Sequence, residues 1–121
     1  MAKKNWALSI LLIYLIVLTS LSFINLGKLP TLGSSFDDKI FHFLSHALLT
    51  GLCFNYFKRL VVSKPILISG LLPVFYGITI EWLQGIGTIT RTSDVYDIFA
   101  NILGMVFAII LIYIVKNVKL K

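Results

Sequence analysis

Between Lys4 and Lys28 the chain carries no charged side chain, and residues 6–26 within that stretch are enough to cross roughly 30 Å of hydrocarbon as a helix. A secretory signal would have a shorter apolar core, about 7 to 15 residues, and a small-residue cleavage site. Neither is evident, so the segment reads as a retained transmembrane helix. Three more blocks repeat the pattern. Residues 40–57 lie between Lys39 and Lys58-Arg59, residues 65–87 contain Glu81 as their one charge, and residues 95–115 end before Lys116. The expected architecture is therefore all-α: a single integral membrane domain over residues 1–121 with four transmembrane helices.

Composition narrows the function classes. Only 13% of residues are charged and 58% are hydrophobic, against roughly 25% charged in a soluble domain, which excludes a soluble multidomain enzyme. The net charge of +6 does not indicate nucleic acid, because the basic residues flank apolar blocks instead of forming a solvated face. The lone Cys53 lies inside an apolar block and reads as a small packing residue.

Lysine and arginine set the orientation. Eight of the 11 fall at the N-terminus (Lys3, Lys4), in the middle connection (Lys58, Arg59, Lys64) and at the C-terminus (Lys116, Lys119, Lys121). Both termini are thus expected to be cytoplasmic. All four aspartates, Asp37, Asp38, Asp94 and Asp97, fall on the outward side with Lys28, Lys39 and Arg91. The connection around Pro30 and Gly33 has the composition of a solvated loop.

An ionisable group inside a bilayer is expensive and marks a functional site by default. Helix rise places His46, Glu81 and Asn101 each about 9 Å below the outward ends of their spans. Residues three or four apart share a helix face, giving stripes Asp38-His42-His46, Glu81-Gln84 and Asp94-Asp97-Asn101-Gly104. Arg91 is the expected cationic partner for Glu81 or the aspartates, through its bidentate fork. Gly77, Gly85, Gly87 and Gly104, with Ala108, should let the third and fourth helices approach closely.

These residues resemble a known family. Asp38-Lys39-x-x-His42 opening a span, Gly77-Ile78-x-Ile80-Glu81-x-x-Gln84 near the end of the next, and Arg91-x-x-Asp94-x-x-Asp97-x-x-Ala100-Asn101-x-x-Gly104 opening the last are similar to the VanZ-like membrane protein family. The resemblance covers about residues 37–108. It implies a four-helix protein of the bacterial cytoplasmic (inner) membrane, in a family whose named member confers low-level resistance to the glycopeptide teicoplanin. The chain departs from the family at His46, where members more often carry an aromatic residue, and at Ala108, where many carry glycine.

The leading expectation is an envelope protein, more a binder than an enzyme. Its outward cluster of Asp38, Lys39, His42, Glu81, Gln84, Arg91, Asp94, Asp97 and Asn101 would bind an envelope lipid, a wall precursor or a membrane partner. A second expectation is an integral-membrane hydrolase or transferase acting on envelope lipid, with Glu81 and His42 as acid and base. A small proton-coupled exporter is a third. Nothing calls for a cofactor. His42, His46 and Glu81 have the residue types and the i, i+4 histidine spacing of a zinc site, although helix-registering hydrogen bonds explain them as well. Asp94 and Asp97 also suit the first turn of a helix, where carboxylates complement its dipole. Of the aromatics Trp6, Tyr14, Trp82, Tyr96 and Tyr113, only Trp82, beside Glu81, is a candidate to line a site.

Overall fold

The computed structural model describes residues 2–23, 35–60, 62–87 and 95–120. They form four helices, α1 (Ala2–Phe23), α2 (Ser35–Phe57), α3 (Pro65–Gly87) and α4 (Val95–Leu120), each long and apolar enough to cross a membrane. A helix satisfies its own backbone polar groups, which hydrocarbon requires of any spanning segment. The limits of α3 match the expected span. The others run past theirs: α1 begins at Ala2, α2 at Ser35, and α4 continues to Leu120. An apolar block records the thickness to be crossed, whereas the helix itself continues into flanking polar residues that still favour helical backbone. Residues 24–26 of the expected first span lie outside the described residues.

Local chemistry fixes the ends of the α2–α3 connection. After α2, the amides of Arg59 and Leu60 donate to the carbonyls of Tyr56 and Phe57 at 3.0 and 3.1 Å, the tighter i to i−3 pattern of a closing helix. Pro65 opens α3, where its missing N–H costs nothing, and the Lys64 carbonyl accepts from the Ile68 amide at 3.2 Å.

Side-chain pairs give the helix directions. Lys39–Asp97, His42–Asn101 and Phe43–Phe107 advance together, so α2 and α4 are parallel. Gly77 meets Asn101 while Gly70 meets Met105 and Ile109, so α3 and α4 are antiparallel. Thr19 pairs with the Tyr76 hydroxyl at 2.7 Å and the Ser22 carbonyl accepts from Gln84 at 2.7 Å, which sets α1 parallel to α3. The bundle thus alternates up and down.

The tightest helix approach differs from the expected one. A Cβ on Gly104 would overlap the Phe43 carbonyl oxygen and lie 3.0 Å from its carbon and 3.1 Å from the Ala47 amide nitrogen. Gly104 therefore seats α4 on the backbone of α2, not on α3. The close contacts between α3 and α4 lie at Gly77, as expected, where a Cβ would meet Asn101 Nδ2 at 2.7 Å, and at Gly70, where it would meet Ile109 Cδ1 at 2.9 Å. Gly85 is exposed and the surroundings of Gly87 lie outside the described residues. Leu11, Leu18, Leu49 and Cys53 form the apolar core between α1 and α2, so Cys53 is the packing residue its block suggested. Outward, Ile16, Leu44, Phe75 and Leu103 are each more than half exposed, an apolar surface of the kind that lipid covers.

Candidate functional site

The polar groups collect where the C-terminal halves of α1 and α3 meet the N-terminal halves of α2 and α4. Lys39 Nζ donates to Asp97 Oδ1 at 2.5 Å. Asp97 Oδ2 lies 3.3 Å from His42 Nε2, and His42 Nδ1 lies 3.0 Å from Asn101 Oδ1. Each step joins α2 to α4. Asp97 sits in the first turn of α4, as a dipole-complementing carboxylate would, yet it is only 6% exposed and belongs to this network. Glu81 comes in from α3, 1% exposed.

His42, Glu81 and Asp97 each offer one ligand atom within 4.8 Å of the others, and all three are buried. The sequence expectation placed His46 in such a trio; the structure puts Asp97 there. His46 stands one turn deeper, where a Cβ on Gly77 would lie 2.7 Å from both His46 Nε2 and Asn101 Nδ2. His46 nonetheless stays with the residues expected at its level: a Cβ on Gly77 would touch both it and Asn101, and it lines the same small cavity as Glu81.

His46 is 4% exposed and Thr50, one turn further, is fully buried. Neither ring nitrogen of His46 nor the Thr50 hydroxyl makes a hydrogen bond among the described residues. The carbonyls of His42 and Pro73 bear on the His46 ring without reaching hydrogen-bonding geometry. Ser22, Ser45, His46, Glu81 and Asn101 help to line a small cavity of about 10 Å³, which admits about one water molecule and no organic group.

The remaining expectations divide. Gln84 is buried, but it donates to the Ser22 carbonyl and so ties α3 to α1. Trp82 is 61% exposed and faces away from the cluster. Tyr14 turns inward instead, donating to the Ser45 carbonyl at 2.6 Å. Only the helical backbone of Asp38 is described, and Arg91 and Asp94 lie outside the described residues. Sequence reasoning read Tyr14 as an interface anchor or lipid-facing bulk, which its inward bond corrects, and gave no role to Thr19, Ser22 and Tyr76. They are uncharged, and such groups cost too little in a membrane helix to stand out by pattern.

Chemically, the arrangement has two capacities. Adjacent ligands of a tetrahedral zinc ion with bonds of about 2.0 Å stand about 3.3 Å apart, the spacing found between His42 Nε2 and Asp97 Oδ2. Asn101 Oδ1 on the other edge of the ring holds Nδ1 as the protonated nitrogen, the usual support for a ligating Nε2. The same two edges also suit a proton shared between His42 and Asp97.

The fold and site define a four-helix bundle, of membrane-crossing length, with a buried histidine–carboxylate centre near one end. No family model matches the chain, and no solved structure matches it. An uncharacterized protein of the fission yeast Schizosaccharomyces pombe, C11E3.10, is 37% identical to it over 89 residues. The match takes in 71% of this chain and 52% of the relative, so the chain spans about half the length of the curated protein it matches.

Proposed function

We propose that the chain is a VanZ-like multi-pass protein of a bacterial cytoplasmic membrane, both termini inside, whose centre binds the polar head of a lipid in the outer leaflet. The observation that carries this is the convergence of His42, Glu81 and Asp97, one from each of three helices, within 4.8 Å. An apolar bundle gains nothing from burying such groups at membrane depth, where each is costly unless used or paired. The cavity beneath them is too small for a ligand, so the head seats on the rim. There the Lys39 side chain, 24% exposed against 9% for Asp97, is the network's point of access. A relative in a yeast, which builds no peptidoglycan, favours a membrane lipid over a wall precursor. In a bacterium the bound lipid would lower glycopeptide susceptibility by altering access to the outer surface.

Native mass spectrometry of the chain released from mild detergent tests this against Glu81→Gln. The expected result is a co-purifying lipid that the variant loses, together with loss of any teicoplanin phenotype at equal membrane abundance. An identical lipid complement and phenotype in both would refute it. A second reading, a lipid hydrolase or transferase, is favoured by the His42 ring held between Asn101 and Asp97 with the Glu81 carboxylate beside it, an acid–base arrangement. It predicts lipid turnover in reconstituted vesicles that Glu81→Gln abolishes.

A further inference from the structure

At the opposite end of the bundle the chain offers a different chemistry. The close of α2, the start of α3 and the last turns of α4 bring Lys58, Lys64 and Lys116 around two grooves. One, about 590 Å³, runs between α2 and α4 and is lined by Phe54, Lys58, Leu111, Val115 and Lys116. The other, about 510 Å³, runs between α3 and α4 and is lined by Lys64, Leu67, Met105, Ile109 and Lys116. Lys116 borders both. No carboxylate lines either groove, and the described Glu81 and Asp97 side chains belong to the other end of the molecule.

The shape of these grooves decides what kind of anion suits them. In the groove between α3 and α4 the α4 wall runs about 16 Å along the helix, from Lys116 to Met105, which is about half of a 30 Å hydrocarbon core and so the depth of one leaflet; in the other groove it runs about 8 Å, from Lys116 to Leu111. The longer groove is walled chiefly by apolar side chains over that length, the shorter one carries Asn55 beside Lys58, and the cations stand at the mouth of both. A free phosphate would find charge but no use for the walls. An acyl chain alone would find the walls but no use for the lysines. Lysines placed at the head-group level beside apolar channels fit a molecule with both features.

We propose that this end of the bundle binds one anionic diacyl phospholipid, its phosphate held at Lys116 with Lys58 and Lys64 on either side, one acyl chain lying along the longer groove and the other entering the shorter one. The site is independent of the histidine–carboxylate centre. The orientation read from the lysine count puts it in the cytoplasmic leaflet, where anionic lipids are available to basic juxtamembrane residues.

The test uses the full-length chain in a neutral detergent, read by native mass spectrometry and by thermal unfolding. The probes are phosphatidylglycerol, phosphatidylcholine with the same acyl chains, and inorganic phosphate. Phosphatidylglycerol should bind and raise the unfolding temperature, phosphatidylcholine should do so much less, and phosphate should do neither. Lys116→Gln should weaken phosphatidylglycerol binding about fivefold, as expected for one lysine at a charged membrane surface, while Lys116→Arg keeps it. The double variant Lys3→Gln/Lys4→Gln, at the same end by topology but outside both grooves, should bind as the parent does. Four results would each overturn the proposal: equal binding of phosphatidylcholine, an effect of phosphate alone, no change in Lys116→Gln, or an equal loss in the Lys3/Lys4 variant.

Discussion

Alanine at position 104 tests the packing on which the whole centre depends. The new Cβ would overlap the Phe43 carbonyl oxygen and come within 3.1 Å of the Ala47 amide nitrogen, both of them backbone atoms that cannot rotate aside. Ordinary carbon–oxygen contacts are about 3.3 to 3.6 Å, so α4 must withdraw from α2 by about 1 Å or more. Asn101, one turn earlier on the same face, holds the His42 ring at 3.0 Å. A withdrawal of that size takes the pair beyond hydrogen-bonding range, which ends near 3.2 Å for a good bond. Overpacking costs about 1–3 kcal/mol and a lost interhelical hydrogen bond about 0.6 kcal/mol. Against this, alanine gains about 0.8–1.0 kcal/mol over glycine in a helix. A net loss of about 0.6–2.8 kcal/mol follows from these terms. Gly51→Ala supplies the control, since nothing lies within 4 Å of a Cβ there. It should stabilise by about 0.5–1 kcal/mol. The assay is equilibrium unfolding of the purified chain in mixed micelles by sodium dodecyl sulfate, followed by helical circular dichroism. Equal shifts of the two midpoints in the same direction would refute the reasoning.

Two further perturbations test polar contacts between the helices. Asp97→Asn removes the charge that Lys39 and His42 share and should destabilise by about 1.5–3 kcal/mol, the range for hydrogen bonds to charged groups. A midpoint unchanged in the same micelle titration would show that the network contributes nothing to stability. Gln84→Leu deletes the bond to the Ser22 carbonyl, with an expected loss of about 0.6 kcal/mol. It should also raise the rate of proteolytic cutting beyond α1 in proteoliposomes; unchanged cutting would mean that α1 is held by its apolar contacts alone.

Much of the fold can be read from the sequence because lysines and apolar blocks mark the spans directly. The limits of α3 follow from Pro65 and from the loss of apolar residues after Gly87. Register is harder. Helix rise brings His46, Glu81 and Asn101 to one level, and all three line one small cavity, but it does not say which of them touch. The choice of Asp97 over His46 as the partner of His42 and Glu81 depends on the parallel packing of α2 on α4, and that packing is decided at Gly104 by a backbone contact. A glycine announces that a close approach is possible, but not which neighbour makes it. The role of α1 is hidden for another reason: its contributions, Tyr14, Thr19 and the Ser22 carbonyl, are neutral groups whose presence in a membrane helix is unremarkable.

The parallel contact between α2 and α4 bears on how the protein is made. Its two halves are separated in the chain by the whole of α3, so Gly104 reaches Phe43 only after the last helix has been synthesised. Until then His42 has neither Asp97 nor Asn101 beside it. With a mean hydropathy of 1.2 against 1.7 to 2.7 for the other three, α2 is also the least apolar of the four helices. The polar centre is therefore complete only once α4 has been made, and no single helix carries it.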